Sequence, residues 1–186
     1  MAKANIQKLW QKKANLPFNP IVEQYNAGDD VIYDQELIPY DVQGSYAYGK
    51  MLHRHGILTN ADMKVLTKGL DEIMDLYKKG KFVLKVEDED CHTKIENYLT
   101  ENYGDIGKKI HTARSRNDQI LVTMRLFMKE RMIDMKQKAL RVVIDLIDAA
   151  KKYEFLPMPG FTHMQKAMPT TLGTWYGSFA ESLLDD

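Results

Sequence analysis

Between Lys108 and Leu156 the sequence contains neither glycine nor proline. Within that stretch Leu121, Met124, Met128, Met132, Met135, Ala139, Val142, Leu146, Ala149 and Tyr153 follow one another in steps of three and four. This is the apolar seam of a helix packed lengthwise against others. Taken from Gln119 to Tyr153, the helix is roughly 50 Å long at 1.5 Å per residue. A compact globule of 186 residues does not house a helix of that length in its middle, so it needs partner helices of similar length. The methionines on the seam read as adaptable core filler.

The rest of the chain is arranged before and after this helix. The first 35 or so residues, with Pro17, Pro20 and the turn Asn26 to Asp30, read as irregular chain with short helical pieces. From Asp34 to His55, Leu37, Tyr40, Ala47, Met51 and Leu52 sit at helical spacing, with Gly44 and Ser45 at the centre. Thr59-Asn60-Ala61-Asp62 is a capping start for a helix carrying Met63, Leu66, Leu70, Ile73 and Tyr77 and ended by Gly80. "KFVLKV" suits a short strand or an extended connector, and "EDEDCHTKIENYLTENYG" suits a helix with acids at its start. Beyond the long helix, Pro157, Pro159, Gly160 and Pro169 forbid a continuous helix, so "GFTHMQ" is expected in irregular backbone. Leu172, Tyr176, Phe179 and Leu183 then resume helical spacing. Asp185 and Asp186 oppose a helix C-terminal dipole, and the end of the chain reads as a truncation.

Composition excludes several functions. Lys+Arg and Asp+Glu each total 26, so no overall field favours nucleic acid or a membrane surface, and any affinity for anions must be local. The single cysteine, Cys91, rules out an internal disulfide, and no apolar N-terminal run supports a signal peptide or spanning helix. A cytoplasmic setting is expected.

Three short strings could carry chemistry. In "IHTARSRNDQI", Asn117 or Asp118 can cap the long helix with no further role. Alternatively, the free N–H groups of the helix start, together with Arg114 and Arg116, favour a carboxylate or phosphate. In "GFTHMQ", His163 can act as a general acid or base, with the Thr162 hydroxyl beside it to bind a carboxylate; it can equally be an ordinary loop histidine. In "EDCH", Glu89 and His92 have the Glu-x-x-His spacing of di-iron bundles. No second copy occurs, which argues against a metal, and pairing of His92 with Glu96 one turn on serves as a structural explanation.

"YDVQGSYAYGKML", "EDEDCHTKIENYL", "KKIHTARSRNDQI" and "PGFTHMQKAMPTTLG" occur in the order of the motifs of argininosuccinate lyases. From about Tyr33 to its end the chain resembles the N-terminal portion of that family, within the fumarase and aspartase superfamily that includes the delta-crystallins. The resemblance implies an all-α fold, with an N-terminal helical domain over residues 1–110 and the beginning of a central long-helix bundle over 111–186. It also implies a homotetramer whose active sites combine segments from three subunits. The implied reaction is reversible anti elimination of argininosuccinate to arginine and fumarate, with neither metal nor organic cofactor. By that resemblance His163 is the catalytic histidine. Ser45, Asn117 and Thr162 match substrate-binding positions, Ser115 and Arg116 share Asn117's loop, and Asp90 and His92 match the acidic site segment.

The chain also departs from the family. Only Leu9-Trp10 represents the family's N-terminal Trp-Gly-Gly-Arg-Phe, Ala113 replaces a usual glycine, and Lys166 and Met168 replace a usual Arg and Gln. The Ser-Ser-x-Met-Pro loop that holds the family's catalytic serine is absent, so this chain alone is expected to lack lyase activity. Other readings are adenylosuccinate lyase or another relative with the same chemistry, and a crystallin-like structural protein on the same scaffold.

Overall fold

A computed structural model describes residues 20–186; the Leu9-Trp10 segment lies outside them. Two compact units divide between Phe127 and Met128, inside the longest helix. In the first unit, α1 (Pro20–Ala27) leads to α2 (Asp30–Arg54), α3 (Asn60–Lys78), α4 (Cys91–Tyr103), the single turn α5 (Ile106–Lys109) and the start of α6 (Arg116–Lys152).

The expected capping box of α3 is present. Asp62 N–H donates to Thr59 Oγ1 at 3.1 Å, and Thr59 N–H donates to Asp62 Oδ2 at 2.9 Å. Together these satisfy donors that a helix start leaves without partners. The stripe of α3 buries Leu66, Leu70 and Ile73 with Ile38, Val42 and Leu52 of α2 and Ile95 and Leu99 of α4 in one apolar core. Helix α2 starts four residues earlier than the periodicity suggests and carries Pro39 within it.

"KFVLKV" joins no sheet. Its extended backbone is clamped by one side chain, with Gln35 Nε2 donating to Phe82 O at 3.0 Å and Leu84 N–H donating to Gln35 Oε1 at 2.8 Å. That pair of bonds stands in for a neighbouring strand and lets Phe82 and Leu84 enter the core. Helix α4 begins at Cys91, so the acids at 87–90 precede it; Asp90 is its cap, accepting from Thr93 N–H at 2.6 Å.

In the second unit, α6 continues to Lys152 and is followed by β1 (Pro157–Thr162), β2 (Gln165–Thr171) and α7 (Leu172–Asp185). The two strands form an antiparallel hairpin, with Thr162 paired to Gln165 and Pro159 to Pro169. The segment expected to be irregular is therefore a two-stranded ribbon. Its prolines hid this in the sequence, because proline is tolerated only where a strand edge stays unpaired, and a two-stranded ribbon has two such edges. The fold is otherwise helical, as expected. Helix α7 packs back on the end of α6: a Cβ added to Gly173 would lie 2.6 Å from Glu154 Cα and 2.7 Å from Ala150 O. Only glycine permits that approach. Tyr153 and Tyr176 stack with centroids 6.2 Å apart.

The long helix is real and runs from Arg116 to Lys152. Its seam is largely uncovered, with Leu121, Met128, Met132, Met135 and Val142 exposed. On α7, Trp175, Phe179 and Leu184 are exposed as well.

Candidate functional site

The first unit contains a buried polar cluster where three of the sequence strings converge. Asp41 on α2 is fully buried. From α4, His92 Nδ1 lies 3.1 Å from Asp41 Oδ2. From α6, Gln119 Nε2 donates to both carboxylate oxygens at 2.9 and 3.1 Å, and Thr123 Oγ1 donates to Oδ1 at 3.4 Å. Gln119, Thr123 and Phe127 are spaced by four on α6, so one face of its first turns meets α2, where Phe127 packs edge-on against Tyr40. Burial pushes the Asp41 carboxyl up. The hydrogen bond and charge of His92 and the amide of Gln119 outweigh burial and hold it below the usual carboxylate range.

The expected partnership of His92 with Glu96 is not formed. His92 lies in the first turn of α4 and turns to Asp41, and Glu96 takes Arg116 instead, with Nη1 to Oε1 at 3.1 Å. Arg116 also donates to Gln119 Oε1 at 3.2 Å and Thr93 Oγ1 at 3.3 Å, and its Nε lies 3.9 Å from Asp90 Oδ2. His111 Nδ1 sits 3.2 Å from Glu96 Oε1 but without hydrogen-bond alignment. Burial raises the Glu96 carboxyl against the lowering effect of Arg116 and His111.

The string "RSRND" resolves as a reciprocal cap centred on Ser115, two residues before the nearer of the two expected caps. Ser115 Oγ accepts from Asn117 N–H at 3.2 Å, and Ser115 N–H donates to Asp118 Oδ2 at 3.1 Å. Asn117 is exposed and is not the cap. Arg114 is half-buried over the Tyr48 ring, its guanidinium 4.7 Å from the centroid, and burial lowers its pKa. Ser45 is buried one turn beyond Asp41 on the same face of α2.

Asp41, Cys91 and His92 place one oxygen, sulfur and nitrogen within 4.8 Å of one another. Their chemistry fits a metal poorly. Asp41 already serves Gln119, Thr123 and His92, and burial with the surrounding carboxylates Asp41, Asp34 and Asp90 drives the Cys91 thiol far from ionisation. Glu89, the acid of the Glu-x-x-His spacing, is not in the group.

Thus Asp90, His92 and Arg116 come together, Ser115 and Asn117 follow directly on α6, and Ser45 lies on the α2 face that carries Asp41. Sequence reasoning missed Asp41, Gln119 and Thr123. The signal available was a set of polar residues on the faces of two apolar helices. Thr162 and His163 belong to the second unit, where Thr162 ends β1 and His163 and Met164 form the turn. Both turn residues have positive φ, 49° and 61°.

A family model described as "Lyase" matches residues 16–186. The chain is 42% identical over 180 residues to an argininosuccinate lyase of Thermotoga neapolitana, covering 97% of this chain and 45% of that protein. It is 40% identical over 180 residues to an argininosuccinate lyase of Phocaeicola vulgatus, covering 97% and 40%. The chain therefore spans less than half the length of these curated relatives. Among solved structures, a fumarate lyase:delta crystallin of Brucella melitensis matches at a TM-score of 0.73 and 17% identity, over 92% of this chain and 43% of that one. An EDDS lyase variant with bound fumarate matches at 0.72 and 23%, over 92% and 34%. These two establish the shared fold. With its model matched over nearly the whole sequence, the chain belongs to the lyase family.

Proposed function

We propose that this chain is the N-terminal portion of an argininosuccinate lyase, acting in arginine biosynthesis in the cytoplasm. The observation that carries the reading is the buried junction in which His92 meets Asp41 while Arg116, via Gln119, joins the same carboxylate. It brings the "EDCH" and "RSRNDQ" strings of the resemblance into one place. The 40–42% identity of the two argininosuccinate lyases supports it.

In the proposed reaction a base takes the proton beside a substrate carboxylate, and the electron pair is held as an aci-carboxylate. That pair then forms the fumarate double bond as the C–N bond breaks, and an acid returns a proton to the departing guanidino nitrogen. Ser45, Asp90, His92, Ser115, Arg116, Asn117 and Thr162 serve the substrate, and His163 is the catalytic histidine. Two features support His163 in that role. Its ring has no hydrogen bond or ion pair among the described residues, and it occupies a backbone conformation costly for any side chain, as groups held for function often do.

The domain division at residues 110 and 111 and the homotetramer belong to the same proposal. The uncovered seam of α6 supports the tetramer, since an apolar face of that extent calls for partner helices. Fumarate release from argininosuccinate by the complete polypeptide carrying these residues tests the reading, and absence of release at every pH sinks it. The 186-residue chain alone is expected to release none. In the complete polypeptide Asn117→Ala weakens substrate binding more than it lowers Tm, since Asn117 caps nothing.

A further inference from the structure

Gln119 is among the most deeply buried polar residues of the first unit, 2% exposed, and no role in the reaction described above calls on it. Both ends of its amide are committed. The Nε2 end donates to the two oxygens of Asp41, and the Oε1 end accepts from Arg116 Nη1. Arginine has only donors and a carboxylate only acceptors, so the two neighbours fix which way the amide points. A carboxylate at this place could accept from Arg116 but not donate to Asp41. An aliphatic residue could do neither. Glutamine alone among side chains of this length joins the two without adding charge.

We propose that Gln119 is a positioning residue for the elimination. It holds the Asp41 carboxylate square to His92 and orients the Arg116 guanidinium, so that the "EDCH" and "RSRND" segments share one fixed geometry. The proposal rests on the lyase reading for its catalytic consequence. The hold on Asp41 is a property of this chain and can be measured without any reaction.

The charged and titratable groups of the cluster around Gln119 are Asp41 from α2, Asp90 at the cap of α4, Cys91, His92 and Glu96 on α4, His111 and Arg114 ahead of α6, and Arg116 in its first turn. A protonated carboxyl in place of the amide has an O–H to donate to Asp41; an ionised one does not, and sets like charges side by side. In the complete polypeptide, Gln119→Glu is expected to show kcat relative to the unsubstituted enzyme rising about tenfold as the pH is lowered across the titration of the introduced carboxyl. KM should rise and fall with the same titration, because the altered group acts through Arg116 and His92, which serve the substrate. Gln119→Leu, nearly equal in volume, should be low in kcat at every pH.

The second measurement uses the 186-residue chain. The carboxyl carbon of Asp41, followed by NMR, is expected to titrate about one unit higher in Gln119→Leu, because a donor to the charged form has been removed. An unchanged Asp41 midpoint, or a ratio of kcat that ignores pH in Gln119→Glu and matches that of Gln119→Leu, overturns the proposal and leaves Gln119 a packing residue. If the unsubstituted polypeptide releases no fumarate while the Asp41 midpoint still moves, the lyase reading fails and the hold on Asp41 stands.

Discussion

The Asp41 cluster and the His163 turn are opposite solutions to placing a histidine. His92 is buried with its partner, and every side chain around it comes from the same unit of the same chain. His163 stands on a two-residue hairpin turn next to Met164, which is 94% exposed, and its own exposed ring has no hydrogen bond or ion pair among the described residues. The first arrangement is complete within the chain. The second presents its side chain on an exposed two-residue turn. The difference teaches that folding alone fixes the surroundings of His92, whereas on the proposed reading His163 acts from an exposed turn.

The largest effect expected from breaking this contrast is on the buried side. Asp41→Ala removes the acceptor of His92, Gln119 and Thr123 together and leaves them buried without it. Truncating one member of such a buried pair costs about 3–5 kcal/mol. Amide hydrogen exchange should show protection lost on α2 and α4, while His163→Ala changes stability by less than about 0.5 kcal/mol. Equal effects of the two substitutions would end the contrast.

A smaller effect tests whether the second unit keeps its own stability. Gly173→Ala drives a methyl into backbone atoms of Glu154 and Ala150, which cannot rotate away. Overpacking of this kind costs about 1–3 kcal/mol. With Trp10 replaced by Phe, Trp175 emission reports on α7, and its transition should move to lower denaturant while exchange on α4 holds. Concerted loss of both signals would show that the two units do not unfold separately.

Acid should separate the regions more gently. Asp41 and Asp62 both have folded pKa values below their unfolded ones, and that of Asp62 falls from 3.8 to about 2 through its bonds to Thr59 and the ammonium of Lys109. A depressed carboxylate contributes stability that is present above its unfolded pKa and lost as pH falls through the folded one. For Asp62 that window runs from about pH 4 to about pH 2. The first unit should therefore lose protection in that range before Trp175 responds, and Asp62→Asn should narrow the gap.

These regions also differ in how far the sequence revealed them. The seam of α6 and the capping box of α3 were legible, because periodicity and capping are local and read straight from spacing. Glycines past helix ends and the Thr-x-x-Asp signature needed no tertiary knowledge. Asp41 and Gln119 were not legible as partners. They are 78 residues apart, and nothing local tells a polar residue on an apolar helix face from a solvated one. His92 was assigned to Glu96 by the one-turn rule, which is weak; a buried carboxylate on another helix overrides it. The hairpin was missed because its prolines broke the alternation by which strands are recognised.

The smallest effect concerns the turn itself. Thr162 and Gln165 close a two-residue loop in which both central residues have positive φ. That is the backbone of a type I′ turn, the form whose twist suits a hairpin, and it favours Asn-Gly strongly. His163 and Met164 are poor choices for such a conformation, and a left-handed residue with a side chain costs on the order of 1 kcal/mol. Replacing the pair through His163→Asn and Met164→Gly should therefore raise the stability of the second unit by about 0.5–1 kcal/mol, read from Trp175 emission in denaturant. Fumarate release by the complete polypeptide should be lost in the same variant. Met164→Gly alone should keep most of the gain and keep activity. A turn that gains no stability from Asn-Gly is not strained, and His163 then loses the strongest structural argument for its role.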